Sequence, residues 1–430
     1  MEATPRNSAS AIDEAHAQKI QTVEVDRAEE VQVDSDQSKF AAMLGILRKL
    51  VGVSDVINLR LSLPSQLLDP IPNLEYWNYM DRPEYFTRIS DSDEDVERML
   101  AVLAWWFSKL LKHTGKVTKP FNSVLGEQFF CRWQVGGSEQ TDAAAQDSGS
   151  SSSTKVSCAD AATVEYITEQ VSHHPPVSAF LYRCPERGIE AVGLDHISAK
   201  FTGLSATVSP GAQCKGIFVT IKERDEVYAS THPTGNIVGW LKGSLKVQFT
   251  GCCHIVCRET GLAAVIEFKE ERWFGKNKDN VHGKVFRLNT PAQADQVSGW
   301  RLGDIPKSCA VVATFQGNWD RQVTVQRTDK LEDQRVLAAL DGLQVAERIV
   351  KATEDQGPME SHRIWGPVAS KMLQGKYAEA TKLKRGVEDR QREVAAQRKL
   401  QAEEFTPALF DPASISAGRP RLRDDAPVNL

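Results

Sequence analysis

Residues 245–271 read LKVQFTGCCHIVCRETGLAAVIEFKEE. Two runs rich in β-branched and aromatic residues flank the turn signal ETG, which predicts a pair of antiparallel strands. The same pattern recurs in TVEYITEQ (163–170), IFVTIKE (217–223), GKVFRL (283–288) and AVVATF (310–315). ERG (186–188), SPGA (209–212), PTGN (233–236) and GKNKDN (275–280) supply further turns. From Val164 to about Arg327 the chain reads as strand after strand, with no helix between. That order predicts a large antiparallel sandwich or barrel, and a barrel of sufficient size encloses a ligand. Cys252, Cys253, His254 and Cys257 have the side chains of a zinc site. They lack a paired CxxC spacing, and adjacent strand positions face opposite sides, so they read as strand cysteines.

On the N-terminal side, residues 1–37 are polar and acidic and read as a disordered arm. Phe40, Met43, Leu44, Leu47, Leu50 and Val51 then fall at helical spacing, with Lys39, Arg48 and Lys49 among them. This is a short amphipathic helix that suits either core packing or a membrane interface. Ile57, Leu59, Leu61 and Leu63 alternate with polar residues as in a half-buried strand. A second helix is expected from an N-cap near Ser92, with Val96, Met99, Leu100, Leu103, Trp106, Phe107 and Leu110 on one face and Gly115 closing it. AAAQDSGSSSSTKVSCADAA (143–162) marks a low-complexity surface insertion over about 138–160. Residues 331–404 read as helical, and 411–430 as a flexible tail. Between Lys371 and Lys399 nine Lys/Arg stand against four Asp/Glu. Within that run Lys384, Glu388 and Arg392 share one helix face at i, i+4, i+8, which suits a solvated salt-bridge ladder or an anion site.

The 430 residues carry a net charge of −5 and 41% hydrophobic side chains. That composition supports a substantial core and argues against a globally basic nucleic-acid binder. The first residues hold no apolar signal stretch, and no run of about 18 apolar residues occurs, so membrane contact is expected to be peripheral. The eight cysteines read as reduced cytosolic thiols.

The most informative string is Glu169-Gln170-Val171-Ser172-His173-His174-Pro175-Pro176-Val177-Ser178-Ala179-Phe180. Paired prolines interrupt strand pairing and hold two imidazoles at a rigid strand end. Such a pair can donate to an anion, bind a metal, or serve as acid and base. As a whole, EQVSHHPPVSAF resembles the signature of the oxysterol-binding protein family. Lys119-Pro120-Phe121-Asn122-Ser123-Val124-Leu125-Gly126-Glu127 is similar to that family's K-P-x-N-P-x-L-G-E segment, with Ser123 where proline is usual. Lys200-Phe201-Thr202-Gly203 after Gly193, and Pro358-Met359-Glu360-Ser361 with Trp365, extend the resemblance over roughly 38–410.

The resemblance implies one lipid-binding domain over 38–410. Its fold is mainly β: a large, nearly closed antiparallel barrel around a lipid tunnel. An N-terminal lid covers the mouth (38–61, with Phe40, Met43, Leu44, Leu47, Arg48 and Lys49 toward membrane). The barrel and its helices fill 62–330, and a C-terminal helical subdomain follows. It further implies binding of phosphatidylinositol 4-phosphate through Lys119, Asn122, His173, His174, Lys384, Glu388 and Arg392. The bound lipid would be exchanged for a sterol or phosphatidylserine between membranes, or sensed without transport. The location implied is cytoplasmic, transiently on endoplasmic reticulum, Golgi or plasma membrane. Ala408-Leu409-Phe410-Asp411-Pro412-Ala413 weakly resembles a motif for an endoplasmic-reticulum receptor; a family-type segment ending the domain, Phe405-Thr406-Pro407…Phe410, is the stronger reading. No G-x-S-x-G elbow, P-loop or H-E-x-x-H motif is present, so no enzyme, cofactor or metal is expected.

Overall fold

The computed structural model describes residues 65, 68–136, 161–201, 206–239, 245–269, 280–428 and 430. The arm (1–37), the lid segment (38–61) and the 138–160 insertion lie outside the described residues.

Fourteen strands are described: β1 Gln128–Val135, β2 Ala162–His173, β3 Pro176–Cys184, β4 Ile189–Phe201, β5 Ala206–Pro210, β6 Ile217–Ile221, β7 Glu226–Ser230, β8 Thr234–Val238, β9 Lys246–Cys257, β10 Leu262–Phe268, β11 Val281–Arg287, β12 Val311–Gly317, β13 Gln322–Arg327 and β14 Gln334–Ala339. All join one antiparallel sheet in the order β1-β2-β3-β4-β5-β8-β9-β10-β11-β12-β13-β14, and β6 and β7 bridge β4 to β9. The opening hairpin is as read, with Cys257 opposite Leu262 and Cys253 opposite Ile266. Cys253 and Cys257 are fully buried in the main core, whereas Cys252 is half-buried on the other face. One turn reading fails: Thr234, Gly235 and Asn236 belong to β8, where Gly235 lies against the Phe249 ring.

Six helices are described: α1 Asn73–Tyr76, α2 Pro83–Thr87, α3 Asp95–Ser108, α4 Ser361–Leu373, α5 Tyr377–Gln401 and α6 Pro412–Ser416. Ser92 caps the turn before α3, its Oγ accepting from the Glu94 amide at 3.2 Å, and the helix starts at Asp95. The expected single apolar face is an understatement. Val102, Ala104 and Trp105 are buried as well as the predicted stripe, so α3 is enclosed nearly all round. Phe107 meets Phe315 at 6.0 Å and Trp106 meets Phe268 at 6.3 Å, so the helix joins the same core cluster as the inward faces of β10 and β12.

Two expectations for the C-terminal part are corrected. Residues 331–404 are not helical throughout: β14 comes first and helix begins only at Ser361. The stretch between carries a short 3-10 turn (Thr353–Asp355) and touches the free edge of β1 at two points, antiparallel at Arg132↔Ile349 and parallel at Gln128↔Glu360, and so covers part of an otherwise unpaired strand edge. Residues 411–430 are not a flexible tail. Leu409 and Phe410 are fully buried against Phe130, Ile167, Val177, Ala179, Leu181 and Leu194, and the chain folds back to pack Leu422, Ala426 and Val428 there. Asp411 caps α6 by accepting from the Ser414 amide at 3.0 Å. With Leu409 and Phe410 buried, the receptor-motif reading does not fit the folded chain.

Burial on both faces of β2 sets a test of this packing. Phe410→Ala is expected to cost about 3–5 kcal/mol of unfolding free energy, as for other buried phenylalanines. Chemical denaturation measures it; a loss under about 0.5 kcal/mol, the range of exposed sites, would return 405–430 to a loose tail.

Candidate functional site

The loop before β1 is fixed from three sides. Asp69 N–H donates to the Lys119 carbonyl (2.9 Å), Lys119 N–H to Asp69 Oδ2 (3.2 Å), and Phe121 N–H to the Ile71 carbonyl (3.1 Å). Phe121 stacks on Trp365 of α4 with centroids 5.0 Å apart. Glu127, fully buried, accepts from Trp365 Nε1 (2.9 Å), Ser361 Oγ (2.7 Å) and the Val124 amide (2.9 Å). Gly126, at φ +80°, sits where a Cβ would come within 3.2 Å of the Phe405 ring. Gly126 N–H donates to the Gln170 carbonyl (2.9 Å) and Gln170 N–H to the Glu127 carbonyl (2.8 Å), which docks the loop onto β2 three residues before His173.

This frame positions the cations. Lys119 Nζ donates to Asn122 Oδ1 at 2.9 Å. Lys384 of α5 has a side chain only 5% exposed, its Nζ 2.5 Å from Glu388 Oε1. Ser65 anchors α5 through its hydroxyl to the Tyr377 carbonyl (2.9 Å) and Thr381 Oγ1 (2.6 Å). Burial pushes the Lys119 ammonium down to about 8, and the charge of Lys384 adds to the effect. Burial also lowers Lys384, with Arg392 and Arg385 pushing the same way and Glu388 opposing. Two desolvated ammonium groups thus repel one another beside one carboxylate.

His173 and His174 occupy the end of β2 and the turn into β3, where His173 pairs with Pro176 and the His174–Pro175 bond is cis. The prolines therefore form the turn of a β-hairpin as well as ending the pairing. Both rings are exposed and meet edge-on with centroids 4.6 Å apart. Arg392 lies two turns beyond Lys384 on α5; its guanidinium is 63% exposed and paired with Asp389 at 2.5 Å. The structure thus brings Lys119, Asn122, Lys384 and Glu388 into one group and leaves Arg392 on the solvent side.

Glu169, from the same signature, is not at the site. It is 1% exposed, and its carboxylate accepts from the Ala408 and Leu409 amides at 2.8 Å each. Glu127 and Glu169 are both occupied as structural acceptors. Among the described residues no group of three or more His, Cys, Asp and Glu gathers as a metal site would require.

A second polar group was not singled out from sequence. At the C-terminal end of α3, Lys109, Lys112 and His113 turn inward toward Tyr79, Asp195 and His232. Lys112 Nζ lies 3.1 Å from Asp81 Oδ1 and also donates to the Asn78 carbonyl. Tyr79 Oη donates to Asp195 Oδ1 at 2.5 Å. Burial pushes Asp195 up to about 7, Lys109 down to about 8 and His113 down to about 3. Lys109 at the C-cap, three residues after Trp106 and directly beyond the apolar run Met99–Phe107, was the signal available.

The family model described as oxysterol-binding protein matches residues 42–424. The chain belongs to that family. It is 34% identical to the oxysterol-binding protein-like protein 1 of Schizosaccharomyces pombe, over 91% of this chain and 90% of the relative. It is 28% identical to the mouse oxysterol-binding protein-related protein 5, over 90% of this chain and 39% of the longer relative. In fold it is similar to the Osh1 ORD domain solved with ergosterol (TM-score 0.63, 20% identity, 89% of this chain and 87% of that one). The Osh3 ORD of Saccharomyces cerevisiae solved with PI(4)P gives a TM-score of 0.59 at 18% identity, over 89% of each chain. Its lipid-binding character follows from the family.

Glu127 sets a pH test of the frame. Burial holds its carboxyl up at about 7, against an ordinary 4.5, despite three donors. A raised acid makes the folded state bind the proton, so its contribution to stability is greatest below 4.5 and is lost as pH rises to about 7. Relative to Glu127→Gln, the wild type should therefore lose up to about 3 kcal/mol across that window. Denaturant titrations of both proteins from pH 4 to 8 check this, and a constant difference would refute it.

Proposed function

We propose that this protein binds phosphatidylinositol 4-phosphate one-to-one and exchanges it between membranes for a second lipid, a sterol or phosphatidylserine. The observation that carries the reading is the pair Lys119 and Lys384. A buried ammonium, Lys384, that lowers the proton affinity of the half-buried Lys119 forms with it a site that an anion relieves. A phosphomonoester with charge near −2 supplies that anion and several acceptor oxygens. Asn122 would bond a phosphate or ring hydroxyl oxygen without adding charge, and Glu388 would hold Lys384 in place. His173 and His174 would close the group from the β2–β3 hairpin, and Arg392 would join it by swinging from Asp389. The basic α5 helix and the amphipathic sequence pattern of residues 39–51 suit a transient, peripheral approach to membranes from the cytoplasm. The PI(4)P and ergosterol complexes of the Osh3 and Osh1 domains support both halves of the exchange by analogy.

The exposed histidines permit a clean test. His173→Ala with His174→Ala should abolish phosphatidylinositol 4-phosphate extraction from liposomes and leave the melting temperature within a degree or two, since surface changes cost little. Extraction that survives the double change would remove the histidines from the headgroup site.

Lys119 predicts a pH dependence. Its lowered proton affinity, about 8 in place of 10.5, means the free protein loses this charge as pH rises above 8. Affinity for the phosphoinositide should be level below 8 and fall above it, by at most about tenfold per pH unit for one proton. Lys119→Arg stays charged, so its affinity should fall less between pH 8 and 9.5. Equal slopes in the two proteins would place Lys119 outside the contact.

A further inference from the structure

The 119–127 loop is pinned through its amides on both sides of a two-residue gap. Phe121 N–H donates to the Ile71 carbonyl at 3.1 Å, and Val124 N–H to Glu127 Oε2 at 2.9 Å. Between them, the amides of Asn122 and Ser123 donate to nothing among the described residues. The Ser123 hydroxyl, on a residue only 4% exposed, has no hydrogen-bond partner either. Asn122 is exposed, and its side-chain carbonyl oxygen accepts from Lys119 Nζ at 2.9 Å.

Asparagine is a thermolabile residue. Its side-chain Cγ is open to attack by the backbone nitrogen of the next residue, which closes a five-membered ring. Helix and strand hold that nitrogen away, and Asn122 lies in neither. A small, unbranched side chain on the next residue leaves the attack unhindered, and Ser123 supplies one. Proline, usual at that position of the KPFNSVLGE segment, has no N–H to give a nucleophile. Asn-Gly does not occur in the chain, and Asn-Ser occurs at Asn7-Ser8 and Asn122-Ser123. At Asn122 the Lys119 ammonium also polarises the carbonyl and meets the oxyanion that forms on attack.

We propose that Asn122 is a site of spontaneous deamidation, and that the carboxylate it leaves closes the anion site to phosphate. Ser123 N gives its proton to solvent base and bonds to Asn122 Cγ. The Cγ–Nδ2 bond breaks, and Nδ2 leaves as ammonia with a proton from solvent. Water then opens the succinimide at either carbonyl, giving aspartate or isoaspartate. The sum is one water consumed and one ammonia released, with no change of oxidation state. The new carboxylate stands beside Lys119, takes the ammonium for itself and repels a phosphate. That consequence rests on the proposed headgroup site; the modification does not.

The test incubates the full chain at neutral pH in water labelled with oxygen-18 and reads its peptides by mass spectrometry. The wild type should gain heavy oxygen at residue 122, as aspartate and isoaspartate, and lose phosphoinositide extraction in proportion. Asn122→Asp should extract about tenfold less from the start, the loss expected for one charge-assisted hydrogen bond. Ser123→Pro should show no conversion and keep throughout the extraction it begins with. Lys119→Met should convert about tenfold more slowly, having lost one oxyanion donor. Denaturant unfolding checks that each variant is folded; if Ser123→Pro is not, Ser123→Val replaces it, its branched side chain obstructing the nitrogen and slowing conversion. Asn122 that stays intact while Asn7 of the same chain converts, or conversion as fast in folded Ser123→Pro as in wild type, would overturn the proposal. Asn122→Asp extracting as well as wild type would overturn the closing of the site. Conversion at Asn122 in a protein that extracts no phosphoinositide when fresh would sink the headgroup reading and leave the modification standing.

Discussion

The buried carboxylate of Glu127 is the contact on which the site's geometry depends. Among the described residues it has no ion pair, and three neutral donors, from Trp365, Ser361 and the Val124 amide, hold it in the dry interior. Two donors belong to the first turns of α4 and the third to the 119–127 loop, so one side chain fixes that loop to the start of α4. The backbone pairing of Gly126 and Glu127 with Gln170 then carries that loop onto β2. Burying a charged group costs several kcal/mol unless its hydrogen bonds are made, which explains why so many donors converge on one residue.

Glu169 repeats the device on the other face of the sheet. It binds two consecutive amides of a segment 239 and 240 residues further along the chain and clamps Leu409 and Phe410 over the outer surface of β1–β4. The two acids of the signature segments are thus architectural. The cations are different in kind: Lys119 and Lys384 stand close enough to repel, an arrangement that costs stability in the free protein, that Glu388 offsets in part and that a bound anion would offset further. Lys109 shows the same contrast inside the barrel, where its partner Trp106 is aromatic and its neighbour Lys112 has taken the available carboxylate.

The sequence by itself determined the strand ladder from Val164 onward, because alternation with period two and the turn residues between runs are local properties. It determined the family through EQVSHHPPVSAF and the KPFNSVLGE segment, and with it the residues proposed for the headgroup site. It also determined that Cys252 and Cys253 could not act together. Only the tertiary structure decided what covers each face. β2 is buried on both sides because Leu409 and Phe410 return to it, and α3 is buried nearly all round because it shares one core cluster with the inner faces of the strands; neither partner is visible in a local window. Thr234–Asn236 became part of a strand because Gly235 packs on Phe249, and the chain before α4 is held at Ile349 and Glu360 by bridges to the free edge of β1. The same reason separates Lys384 from Arg392. Helical spacing puts both on one face of α5, but burial against the neighbouring loop reaches Lys384 and stops short of Arg392, because contact with a second element, rather than periodicity, sets the depth of a side chain.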